Sequence, residues 1–426
     1  MGATSVPRML ENGKQSVENI INLTLIDMRI NHFFLLIMLV ITGCDCVHAH
    51  NKKVPGVIVN HIAQTEEKYI GSPSICILPD GTYLASHDEF GSKSDEETAA
   101  MTRVFASYDR GQHWQCIATM RGQFWSTLFT IKGKVYLIGT VKAHGAIVIR
   151  CSTDGGHTWT TPKDKKTGLL KEGEFHTAPM PIIVHKGRIW RAVENASSPD
   201  ERWPYRYSAM MMSAKVGSNL LKASNWRFTN SLRSDTTCLS NRFKGWLEGN
   251  AVVAPDGQLY DVLRCEVEPN NGEYAAFVRI SDDGRNASFD VDNGFCAFQG
   301  GGKKFTIRYD EVTQRYWTLV NPRYKQLPRS NRYSVRNMLV LCSSTDLRHW
   351  SMHEMVLFHK ERWKHAFQYV DWLVEGNDII FVSRTAYDDE TGGAHSFHDA
   401  NYMTFHRISD FRSLLHKQLN MRDYEQ

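Results

Sequence analysis

One eight-residue phrase occurs twice, 45 positions apart: Ser107-Tyr108-Asp109-Arg110-Gly111-Gln112-His113-Trp114 and Ser152-Thr153-Asp154-Gly155-Gly156-His157-Thr158-Trp159. Both copies fit S-x-D-x-G-x-x-W. Such a phrase describes a closed turn, in which the carboxylate accepts turn N–H groups, glycine takes positive φ and the indole packs beneath. Degenerate copies occur at Ser281-Asp282-Asp283-Gly284, ending in Phe289, and at Ser344-Thr345-Asp346, ending in Trp350. A second kind of turn recurs between short apolar runs, at Pro79-Asp80-Gly81, Lys132-Gly133, Lys186-Gly187, Pro255-Asp256-Gly257 and Glu375-Gly376-Asn377. From about residue 57 there is no amphipathic helix of useful length. The chain repeats a unit of four β-rich runs, whose first runs begin near Ser72, Trp125, His176, Leu247, Lys304 and Ala366. Repeats of this length with four strands each predict propeller blades. The expected fold is all-β, a six-bladed β-propeller over residues 57–412, with seven blades as the alternative. Val57–Asn60 is expected to pair with the last blade and close the ring.

The same alternation of turns predicts where chemistry lies. Both turn types fall on one rim, so the starts of first strands and the ends of second strands share the other. First-strand starts offer Ser72, Trp125, His176, Glu248, Lys304 and Tyr369. Second-strand ends offer His87, Asp88, His144, Arg191, Glu194, Arg264, Asn321, Arg323, Arg384 and Asp388, and the loop around His398 and Asp399 reaches the last blade. Charged groups gathered at one channel mouth are costly unless they pair or bind an ion. Arginine forks suit carboxylate or sulfate, so the expected ligand is an acidic sugar. His87, His176, His365, His395 and His398 gather towards the axis, but none has a usual ligand spacing. No metal and no cofactor are therefore expected.

With 50 basic and 46 acidic side chains, the charge balance argues against nucleic acid as a partner. The nine cysteines include no C-x-x-C pair, and most stand in apolar runs, as buried thiols do. Residues 33–41, Phe-Phe-Leu-Leu-Ile-Met-Leu-Val-Ile, follow Met28-Arg29 and are too few to span a bilayer. They read as the core of a signal peptide, with 1–27 upstream of the true start. Ile41-Thr42-Gly43-Cys44 resembles a bacterial lipobox, which makes 1–46 an extension plus lipoprotein signal and Cys44 the lipid-bearing residue. Cleavage after Val47-His48-Ala49 is the competing reading. Either way the chain is expected to be exported, as a cell-envelope lipoprotein on the first reading.

The paired phrases, the blade period and several strand phrases together resemble the sialidase superfamily of Asp-box propellers, over nearly the whole chain from residue 57. The resemblance implies a tyrosine nucleophile, a glutamate that takes its proton, an acid/base aspartate and an arginine clamp. Trp246-Leu247-Glu248-Gly249-Asn250 is similar to the glutamate-bearing strand, implying Glu248 as the base. Phe367-Gln368-Tyr369-Val370-Asp371-Trp372 is similar to the nucleophile strand, implying Tyr369. A phenol ionises near pH 10 in water (about 10) and needs an adjacent carboxylate to attack at neutrality. Arg264 and Arg336 look like clamp members. The family opens its first blade with Arg-Ile-Pro, whereas this chain has Tyr69-Ile70-Gly71-Ser72-Pro73-Ser74, so Arg191, Arg323 or Arg384 is expected to re-form the clamp. Asp88 and Asp95 both fall in the acid/base region. Trp125 and His398, from the same rim, are expected to be further substrate contacts. The leading expectation is an exo-acting glycoside hydrolase that removes an acidic sugar. One alternative is a polysaccharide lyase or His-based glycosidase using His176 and His87. The other is a non-catalytic glycan-binding surface lipoprotein.

Overall fold

The structure is a computed structural model, and it describes residues 53–268, 272–323 and 336–424. The expectations for residues 1–46, including Cys44, lie outside the described residues. From Val54 onward the chain forms one unit of six antiparallel sheets. Each sheet is a blade, and six is the count. Blade one contains Tyr69–Ile70, Ser74–Ile77, Tyr83–Phe90, Met101–Ser107 and Gln115–Arg121. The inner strands of blades two, four, five and six are Phe124–Ile131, Phe243–Val253, Thr306–Asp310 and Ala366–Glu375. In blade three the inner position is split between Phe175–His176 and Ile183–His185, both paired to Arg188–Asn195.

The ring closes as expected. Val57–His61 is the outermost strand of blade six, antiparallel to Tyr402–Ile408, with Val57 opposite Phe405. Apolar residues fill each of the six blade interfaces with a separate cluster. Trp190 and Trp246 meet in the cluster between blades three and four, and Trp317 and Trp372 in that between five and six, all fully buried. These indoles supply the wide apolar bodies that wedge-shaped blade contacts require.

A second ring, of hydrogen bonds, runs round the channel. The Ser74 hydroxyl donates to Asp371 at 2.8 Å and accepts from the Leu128 N–H at 3.0 Å. Thr127 exchanges bonds with the backbone of Met180. Glu194 accepts from Gly249 N–H, Asn250 from Ile307 N–H, and Thr306 O from the Trp372 indole. Every neighbouring pair of blades is thus joined by a buried polar contact, which fixes inner-strand register where apolar packing alone would tolerate sliding.

The S-x-D-x-G-x-x-W turns join third to fourth strands. Asp109 Oδ1 accepts from the N–H groups of Gln112 and His113 at 3.0 and 2.9 Å, and the Trp114 indole donates to Gly111 O. Asp154 and Asp346 repeat the arrangement. Of the seven cysteines described, none is in a disulfide. Cys116 is exposed and Cys296 half-buried, unlike the five buried ones.

Candidate active site

The channel mouth is built by three irregularities in inner strands. Trp125, Glu248 and Tyr369 have φ of +47°, +56° and +53°. Each lies at a register shift against its second strand: between Phe124 and Thr127, Leu247 and Asn250, and Gln368 and Asp371. A bulge re-aims a side chain, and positive φ costs a bulky residue about 1–2 kcal/mol. Two residues after each bulge, Thr127, Asn250 and Asp371 make the inter-blade bonds described above. The strain is therefore held between fixed points, a pattern typical of functional sites.

Glu248 and Tyr369 line a cavity of about 290 Å³ together with His176, Trp203, Leu247, Arg264, Arg336, Phe397 and His398. The Arg264 guanidinium bridges two carboxylates, Glu248 Oε2 at 2.9 Å and Glu266 Oε1 at 2.6 Å. All three residues are at most 2% exposed. Burial pushes the Glu248 carboxyl up, but the Arg264 charge, His176, and hydrogen bonds from Arg264 and Tyr369 outweigh it and hold it below the usual carboxylate range. Burial opposes the charge on Arg264, and Glu248 and Glu266 more than restore it.

Tyr369 stands among cations. It shares the cavity with Glu248 and Arg336. The Arg336 and Arg384 guanidiniums lie 5.5 and 4.9 Å from its ring centre. Arg336 also donates to Gln368 Oε1. Arg384 donates to His398 O and covers Phe90 at 4.3 Å. Burial lowers both arginines, Arg384 to about 10.

On the opposite wall His176 Nδ1 lies 2.8 Å from Glu194 Oε2. Glu194 Oε1 accepts the Gly249 N–H at 3.2 Å, so one carboxylate orients the imidazole and braces the Glu248 bulge. Trp125 and Tyr207 each pack 4.5 Å from the His176 ring. Beneath the Glu248 bulge lies Asp261, fully buried, with both oxygens lacking hydrogen-bond partners. Burial, and then the Glu194 charge, raise its carboxyl well above the ordinary range. A Cβ at position 249 would sit 1.9 Å from Asp261 Oδ1, which makes glycine obligatory there.

The structure thus brings together Tyr369, Glu248, His176, Arg264, Arg336 and His398 at the cavity, with Trp125 and Arg384 behind them. The others lie elsewhere. Both oxygens of Asp88 accept backbone N–H groups, from Ser72 at 2.7 Å and Trp125 at 2.5 Å. Burial still pushes its carboxyl up to about 7, against those bonds and the Arg384 charge. Asp95 is in an exposed pair with Arg121. His87 is buried between Asn60 and the carbonyl of Asp88, and burial lowers it to about 4. Arg191 spends its guanidinium on the carbonyls of Ala178 and Ala192 and is a girder of blade three. Arg323 borders a separate hollow of about 830 Å³ beside Tyr274, Trp350 and residues 418–422.

Sequence reasoning missed Trp203, Phe397, Glu266 and Gln368. Trp203, 47% exposed, covers Arg264 at 5.6 Å from a loop inside blade three. Phe397 comes from the loop before the third strand of blade six. Only their placement in long aromatic-bearing connections, at 196–207 and 387–401, hinted at a role. Among the described residues, the cluster with metal-ligand atoms in mutual reach is His359, Glu361 and His365.

No family model and no curated protein matches the chain. Solved structures do. A protein of unknown function from Dyadobacter fermentans is 13% identical with TM-score 0.53, over 84% of this chain and 99% of its own. An α-L-arabinofuranosidase from Fusarium graminearum is 11% identical with TM-score 0.53, over 83% and 96%. An intramolecular trans-sialidase from leech is 12% identical with TM-score 0.52, over 84% and 70%. At such identities the likeness is one of fold, and the fold is a propeller that these two enzymes of different sugars also carry.

Proposed function

We propose that this protein is an exo-acting glycoside hydrolase that removes an acidic sugar from a glycan. The observation that carries the reading is that Tyr369 and Glu248 line the same small cavity, together with Arg264 and Arg336. Tyr369 attacks the anomeric carbon while Glu248, held ionised by Arg264, accepts the phenol proton. Such a tyrosine is a recognised exception to the two-carboxylate scheme. The bond from that carbon to the leaving oxygen breaks as the new bond forms, and the leaving oxygen takes its proton from solvent. Water then releases the sugar. The cavity volume is at the small end for ligand sites, which suits one terminal residue. The guanidiniums supply the expected carboxylate contacts. Export belongs to the same proposal and rests on residues 33–44 alone.

A second reading is favoured by the buried Glu194–His176 pair, an oriented imidazole facing the same cavity. It makes His176 the base of an elimination or hydrolysis beside a uronic acid. The test incubates the protein with sialylated and uronic-acid-rich glycans and weighs the products. A released sugar heavier by one water, lost in Tyr369→Phe and retained in His176→Gln, supports the first reading. An unsaturated product lost in His176→Gln supports the second. Turnover that survives both substitutions excludes both.

A further inference from the structure

The hydrolysis proposed above needs a proton acceptor twice, and Glu248 can serve only once. After the first step Glu248 carries the phenol proton, so the water that releases the sugar must give its own proton to another group. In the cavity wall the two arginines are cations, Tyr369 is bonded to the sugar, and the indole, phenyl and leucine side chains accept no proton. Two imidazoles remain, His176 and His398. We propose that His398, oriented by Asp399, is the general base of the water-attack step; this rests on the tyrosine-nucleophile reading above and names the group that reading leaves unassigned.

Three observations favour His398 over His176. First, its ring has a built support. His398 Nδ1 lies 2.8 Å from Asp399 Oδ1, and the other carboxylate oxygen lies 2.9 Å from His395 Nδ1. His395 in turn stacks on Tyr69, with 5.6 Å between ring centres. The Ser396 hydroxyl accepts the N–H groups of His398 and Asp399, at 3.2 and 3.0 Å, and the Arg384 guanidinium donates to His398 O. Second, water reaches one ring and not the other. The His398 side chain is 45% exposed, whereas that of His176 is 8% exposed and packed against Trp125 and Tyr207. Third, the two rings belong to different walls. Glu194 ties His176 to the Glu248 bulge through the Gly249 N–H. Arg384, which donates to His398 O, lies instead over the Tyr369 ring. A base for water has to stand apart from the carboxyl that returns its proton to the phenol.

The charge states fit the role. Burial raises the Asp399 carboxyl, but hydrogen bonds from His398 and His395 and the Arg384 charge hold it well below the ordinary range. An ionised carboxylate can only accept, so Nδ1 of His398 carries the ring proton and Nε2 keeps its lone pair. Burial and the Arg384 charge lower His398 to about 4, against its bond with Asp399, so the ring is neutral near neutrality. A base of that strength matches the carboxylates that activate water in two-carboxylate glycosidases. In the step, the water oxygen bonds to the anomeric carbon and a water proton passes to His398 Nε2. The bond from that carbon to the Tyr369 oxygen breaks, and the phenolate takes back the proton that Glu248 holds. His398 then gives its proton to solvent.

The test mixes the full chain rapidly with the umbelliferyl glycoside of the sugar released in the glycan assay, and follows fluorescence and the intact mass of the protein. His398→Gln should keep the burst of fluorophore, lose steady-state turnover by about 10²–10⁴-fold, and accumulate chain heavier by one bound sugar. Azide attacks without losing a proton, so it should restore turnover and yield a glycosyl azide. Asp399→Asn should show the same pattern more weakly. A side chain that only held the fold would lower burst and steady state together, with no rescue. The inference is overturned if His398→Gln and Asp399→Asn both turn over as the parent does, or if both lose burst and steady state in equal measure without rescue by azide. A burst that survives Tyr369→Phe is a distinct outcome, which removes the tyrosine reading and this step with it.

Discussion

The two rims of the propeller solve the same electrostatic problem in opposite ways. On the turn rim, Asp109, Asp154 and Asp346 are exposed or nearly so, and each is satisfied by N–H and hydroxyl groups at most four residues away. Backbone N–H groups and His113 hold Asp109 down at about 2. On the mouth rim, Glu248, Glu266 and Arg264 are buried, Arg264 joins Glu248 of the neighbouring strand to Glu266 of its own, and Glu194 of the next blade braces Gly249 beside them. A local solution needs only its own octapeptide. A distributed one exists only when the whole ring is assembled, and it leaves charges packed in an order that a ligand can exploit.

The sharpest way to break this comparison is Arg264→Met. It strands two buried carboxylates, and a loss of about 3–5 kcal/mol in denaturant unfolding is expected, along with turnover. A loss no larger than that of a turn substitution would mean that the mouth charges are not interdependent. Acid comes next. Burial depresses His87 from 6.5 to about 4, and His406 to about 3. The unfolded chain therefore takes up protons below pH 6.5 before the fold does. Stability from these groups is complete above 6.5 and drains away as pH falls towards 4 and 3, by an order of about 3 kcal/mol for each. Unfolding midpoints between pH 7 and 4 should show this, with a shallower slope in His87→Gln and an unchanged one in Asp109→Asn.

Gly249→Ala should cost about 1–3 kcal/mol by overpacking against Asp261, and Asp261→Ala in the same chain should recover part of it, measured as a double-mutant cycle. The smallest effect expected is Asp154→Ala, about 1 kcal/mol, with turnover unchanged.

This difference between rims also decides what was legible beforehand. Ser107–Trp114 announces its own turn, since every donor and acceptor is inside the phrase, and the two turn types fixed which rim was which. Blade number and closure by Val57 followed from spacing. Glu248 and Tyr369 were singled out through strand phrases, and Arg264, read only as standing at the end of the next strand, pairs in register with Leu247. What sequence lacked was reach. Asp88 and Arg191 stand at the anticipated strand ends, yet one turns to the N–H groups of Ser72 and Trp125 and the other to carbonyls of its own blade. Positive φ at Trp125, Glu248 and Tyr369 carries no residue signature, because none of them is glycine. Trp203 and Phe397 depend on how long loops fold back, which no periodicity encodes.

The pairing of Val57 with Phe405 has a consequence for biosynthesis. The first strand of the propeller to leave the ribosome finds its partner only after nearly all the rest has been made. Until then Val57–His61 is a lone ribbon, and each growing edge is an open template for other nascent chains. Joining ends so distant in sequence is slow rather than forbidden, because loop closure grows only logarithmically in cost. A ribosome stalled before residue 402 would therefore release a product with five blades formed and two sticky edges. Quality control of this protein should act on that species, and stop codons late in the message should be more harmful than their small loss of mass suggests.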